Sequence, residues 1–87
     1  MKITEFKFVE HIVPYGSCGT GYSEPDKFHV KTDTGFETDI YVDIWYRPKE
    51  SIYEEFLRAI NRKFEKVDNL NEVWEMYKQE MKLNNNP

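Results

Sequence analysis

Residues 27–46 read KFHVKTDTGFETDIYVDIWY, and the phase of this stretch decides the fold. Two alternating runs flank Asp33-Thr34-Gly35, a triplet that suits a three-residue hairpin connection: a type I turn, then glycine in the left-handed region as a G1 bulge. This turn sets Thr32 across from Phe36 and so fixes every later pair. Phe28 falls opposite Ile40 and Val30 opposite Thr38 on one face. Lys31 meets Glu37, His29 meets Asp39 and Lys27 meets Tyr41 on the other. Apolar groups oppose mostly apolar ones and bases oppose acids, as cross-strand pairing favours. A slip of one residue would destroy both patterns. The predicted strands are 27–32 and 36–46.

Upstream, 2–13 is a further strand candidate, with Phe6, Phe8 and Ile12 on one face and Lys7, Val9 and His11 on the other. Glu10 interrupts the pattern, as at a bulge or a sheet edge. Downstream, Ser51-Ile52-Tyr53-Glu54 spells a capping box and opens a helix over 51–67. Ile52, Phe56, Leu57, Ile60, Phe64 and Val67 recur there at helical spacing. Asn69 is a weaker cap for a second helix over 70–83, striped by Leu70, Val73, Trp74, Tyr77 and Met81. Both stripes need an apolar surface, and the Phe28/Val30/Ile40/Val42/Ile44 face supplies one. The predicted architecture is an α+β fold, a small antiparallel sheet of about three strands followed by two antiparallel helices on one face, in βββαα order. It forms a single domain over 1–83, with 84–87 as a disordered tail.

At 87 residues the chain has room for one core, and its 16% aromatic content enlarges what that core can bury. One cysteine, Cys18, excludes an internal disulfide, and no clustered Cys/His set offers a zinc site. The net charge of −4 lacks the basic field that direct nucleic-acid binding needs. No apolar leader or span stands out, so the expected location is cytoplasmic, away from membranes.

Several patterns resemble chemistry. Asp33-Thr34-Gly35 is the triplet that carries the aspartic protease carboxyl, but those enzymes need two such carboxyls meeting at an interface; turn formation accounts for all three residues here. Cys18 with His11 or His29 would need a positive field to lower the thiol pKa, and none is local. Asp39 and Asp43 lie about 13 Å apart along a strand, too far for one metal ion. The expectation is no enzyme, no cofactor and no metal.

Two features suit binding. The long connection 14–26 brings Gly16, Cys18, Gly19 and Gly21 between Tyr15 and Tyr22, and loops of this length usually carry function. Its free amides would suit an anion such as a nucleotide. On the third strand, Glu37, Asp39, Tyr41, Asp43 and Trp45 point away from the helices. Aromatic anchors amid polar groups are typical of binding hot spots. The first strand, the long loop or a second copy of the chain, as a homodimer, are other candidates to cover that face. Acidic single domains of this size and architecture are similar in kind to phage and mobile-element inhibitors, anti-CRISPR proteins among them. No motif carries the likeness, so no residues are carried over from it. The expected function is a small acidic inhibitor or adaptor whose protein partner has a basic surface, as a nucleic-acid-handling enzyme has. A small anionic-ligand binder and a structural subunit of a larger assembly are the alternatives.

Overall fold

A computed structural model describes residues 1–12, 25–44 and 51–84 of the chain. The loop residues Tyr15, Gly16, Cys18, Gly19, Gly21 and Tyr22, together with Trp45 and the end of the tail, lie outside the described residues. Three strands, β1 (Ile3–His11), β2 (Asp26–Thr32) and β3 (Glu37–Val42), precede two helices, α1 (Ile52–Lys63) and α2 (Leu70–Asn84). The strands form an antiparallel sheet in the order β1-β2-β3. This is the α+β arrangement the sequence predicts, and it settles the place of the first strand beside β2. No helix among the described residues is long and apolar enough to cross a membrane.

The hairpin register is as read. Phe28 pairs Ile40, Val30 pairs Thr38, Lys31 pairs Glu37, His29 pairs Asp39 and Lys27 pairs Tyr41. Gly35 has φ +89°, the left-handed conformation the turn requires and one that a Cβ would strain. The Gly35 amide donates to the Thr32 carbonyl (3.2 Å) and the Thr32 amide to the Phe36 carbonyl (2.9 Å). β3 stops at Val42, short of the predicted 46, and Ile44 still packs against the core.

Both helices lie on one face of the sheet, α2 over β1 and α1 over β3. Phe6, Phe28, Phe56 and Tyr77 meet at the centre, with Phe6–Phe28 centroids 4.7 Å apart and Phe56–Tyr77 5.3 Å. Trp74 stacks on Tyr77 at 5.5 Å and joins Phe56 at 5.1 Å, so rings bridge the two helices. Each such pair contributes roughly 0.5–1.5 kcal/mol beyond area burial.

Three local expectations are corrected. Ser51 sits in the right-handed helical region and its hydroxyl makes no cap bond, because that geometry turns it away from the Glu54 amide. α1 ends at Lys63, not 67: Phe64 is extended, and its buried ring meets Phe36 edge-on at 6.0 Å. In β1 the pairing shifts between Phe8 and Glu10, so Val9 is the bulged residue and the face assignment inverts beyond it. His11 thereby pairs with Asp26 and joins the helix side of the sheet.

Asn69 does not cap α2 with its side chain. Its Oδ1 accepts from the Ile3 amide (3.0 Å) and its Nδ2 donates to the Ile3 carbonyl (2.8 Å), as a neighbouring strand would. Farther along, the Phe8 amide donates to Glu80 Oε1 at 2.9 Å. Side chains from the helix layer therefore cover the outer edge of β1 at Ile3 and at Phe8. Asn69→Ala would leave both Ile3 backbone groups buried without partners and should cost about 2–3 kcal/mol. A fall in the urea midpoint with unchanged slope checks this.

Candidate binding face

The face of the sheet turned away from the helices is a lattice of charges that only the three-strand alignment brings together. Glu5, Lys31 and Glu37 form one row; Lys7, His29 and Asp39 form the next; Glu10, Lys27 and Tyr41 form the third. Lys31 Nζ lies 3.7 Å from Glu5, and Lys27 Nζ 3.7 Å from Asp39. The middle column is basic and the β3 column acidic, so the face as a whole is close to balanced. Tyr41 is 41% exposed at its border.

His29 is the centre of this lattice. Its Nδ1 is 2.8 Å from Asp39 Oδ1 and its Nε2 2.8 Å from Glu37 Oε1. Two carboxylates accept from both ring nitrogens only when the ring is an imidazolium. The bond to Glu37, then that to Asp39, holds the His29 pKa above its ordinary value of 6.5. The same bonds hold the Glu37 and Asp39 carboxyls below theirs. All three groups are solvated, so the stabilisation is screened and small.

Of the five strand residues singled out by alternation, Glu37, Asp39 and Tyr41 lie together on this face. Asp43 departs from the set: it follows the last ladder residue, where a two-residue period no longer applies, and one of its carboxylate oxygens is buried with no hydrogen bond from the described residues. Trp45 lies outside the described residues.

The side chains that sequence reasoning passed over are on the opposite side of the sheet. Asp26 is 2% exposed; His11 Nδ1 meets its Oδ1 at 2.9 Å, and its Oδ2 has no hydrogen-bond partner among the described residues. Burial, and then the Asp43 charge, push its pKa up, against the lowering effect of His11. The buried Tyr77 hydroxyl also lacks a partner among the described residues, and burial raises its pKa. Asp26 was visible only as an acid near the loop, and Tyr77 only as a member of an apolar stripe. No local pattern announces that their oxygens are buried near one another.

Two measurements follow from this geometry. His29 binds its proton more tightly in the folded than in the unfolded chain, so its contribution is whole below pH 6.5 and fades as pH rises through the folded value. The two carboxylates contribute above their ordinary values and lose that contribution as pH falls through the lowered ones. Proton NMR should show His29 titrating above 6.5, with a downward move in the doubly substituted Glu37→Gln, Asp39→Asn chain. Separately, Tyr77→Phe removes a buried hydroxyl that no described group satisfies, and it should raise stability by about 1 kcal/mol in urea unfolding.

No family model, no curated protein and no solved structure matches the chain.

Proposed function

We propose that this protein is a non-enzymatic binding protein that takes an extended, basic segment of a protein partner onto the outer edge of β3 as a fourth strand. The observation that carries this reading is the contrast between the two sheet edges. The β1 edge is occupied by Asn69 and Glu80, whereas no described strand pairs with the outer edge of β3. Antiparallel alternation, counted from the Thr32–Phe36 bond, turns the amides and carbonyls of Glu37, Asp39 and Tyr41 to that edge. These are also the residues whose side chains stand on the charged face.

Strand addition draws affinity from main-chain hydrogen bonds and specificity from alternate side chains. Each main-chain bond contributes about 1 kcal/mol net, comparable with the entropy of ordering one residue, so the side chains must decide. A strand with Lys or Arg at alternate positions would extend the existing order, with an acidic column between two basic ones. Apolar residues at the other positions would face the helix side. Self-association through this edge is disfavoured, because antiparallel registers that keep the outer faces together set acid against acid, Asp39 on Asp39 or Glu37 on Asp39. The basic middle column also distinguishes this face from the unbroken negative ladder of a polyanion, so the partner is selected strand by strand. An inhibitor of a nucleic-acid-handling enzyme would act through such a basic segment.

The test uses synthetic peptides that alternate Lys with Val, and matched peptides that alternate Glu with Val. The Lys peptide should shift the backbone amide signals of Glu37, Asp39 and Tyr41, and binding should weaken as salt is raised. Tyr41→Pro deletes an outward amide without removing a bond to β2 and should abolish the shifts. Equal binding of the Glu peptide, or undiminished binding by Tyr41→Pro, would sink the reading.

A further inference from the structure

We propose that His29 holds the place of the partner's basic side chain at Glu37 and Asp39, so that adding the fourth strand expels the imidazole proton and binding tightens as pH rises. This regulation rests on the strand-addition reading above and concerns the same edge. Its basis is a competition for acceptors. His29 Nδ1 lies 2.8 Å from Asp39 Oδ1, and Nε2 lies 2.8 Å from Glu37 Oε1. Lys27 Nζ stands 3.7 Å from Asp39 Oδ2. Both Asp39 oxygens and one Glu37 oxygen are therefore turned inward, toward β2. A lysine on a strand beyond β3 would approach the same two carboxylates from the opposite side.

The protonation state of one ring decides how many carboxylates are held inward. An imidazolium donates from both nitrogens, whereas a neutral imidazole donates from one and accepts at the other. Loss of the proton sets a lone pair against one of the two carboxylates and releases that side chain toward the added strand. It also removes a positive charge from beside the acids. Conversely, each lysine brought to Glu37 or Asp39 disfavours the imidazolium. The coupling is reciprocal: a partner that lowers proton affinity binds less tightly while the proton stays on. The exchange takes place in the open, since the side chains of His29, Asp39 and Glu37 are 35%, 39% and 52% exposed.

On the outer face, the charged and titratable residues around the ring come from all three strands. β1 contributes Lys7, the pairing partner of His29, with Glu5 and Glu10 in the adjoining rows. β2 contributes Lys27 and Lys31, and β3 contributes Glu37, Asp39 and Tyr41. Lys31 also faces Glu5, 3.7 Å away. Of these residue types only histidine ordinarily changes charge near neutral pH. The carboxylate bonds hold the His29 pKa above 6.5 in the free chain, and strand addition draws it down. Affinity is therefore highest above the free-chain value and is lost as pH falls through it.

The experiment titrates an acetylated Lys–Val peptide into the chain by calorimetry at fixed ionic strength, from about pH 6 to about pH 8.5. Kd should fall about three- to tenfold across this range. Repeating the titration in buffers of different ionisation enthalpy should show protons released on binding. In proton NMR the His29 ring should titrate at lower pH once peptide is saturating. His29→Gln keeps a hydrogen-bonding side chain and should bind with an affinity that no longer varies with pH. That variant retains His11 and Cys18, so a dependence surviving in it would belong to them and overturn the proposal. The unsubstituted chain decides the matter by itself if the variant does not fold. Peptide binding with no proton release and one affinity throughout would overturn the proposal and leave strand addition standing. No peptide binding at any pH would sink strand addition, and this regulation with it.

Discussion

The backbone of Gly35 is the constraint on which the rest of the structure depends. A left-handed residue at the end of a three-residue turn locks Thr32 against Phe36, and the pairing of β2 with β3 has no further freedom. From that one alignment follow two surfaces of opposite character. Phe28, Val30, Ile40 and Val42 become fully buried beneath the helices. Lys27, His29, Lys31, Glu37 and Asp39 become the exposed lattice. β1 then joins in a register that continues both, with Phe6 and Phe8 on the inner side and Glu5 and Lys7 on the outer.

What was legible in the amino-acid order follows from this. A period of two and a turn with defined chemistry gave the hairpin, and a period near 3.6 gave both helical stripes. These signals are local and repeated, so they survive without knowledge of the partners. The outward placing of Glu37, Asp39 and Tyr41 was legible for the same reason. The balance of charge on that face was not, because it depends on which β1 residues lie beside Lys31 and His29. Nor was the second role of Asn69. Its side chain has two options, its own helix or a strand 66 positions away, and only packing decides between them. Ser51 shows the converse: a sequence suited to a capping box does not form one when the backbone enters the helix early.

The two edges of the sheet are treated differently. Unpaired strand edges invite association, and proteins commonly cover or charge them. Here β1 is covered and β3 is charged. A small domain has little stability to spare, which makes the three buried oxygens with no hydrogen-bond partner among the described residues notable.

The bulge at Val9 has a consequence for the helix side of the sheet. Along an unbroken strand, Glu10 rather than His11 would share the inner side with Phe8. A carboxylate would then stand beside Asp26 where an imidazole now stands. One extra backbone residue thus sets the polarity beneath the helices: pairing β1 straight through Val9, with no bulge, would put an acid in the place of a base without altering any side chain's identity.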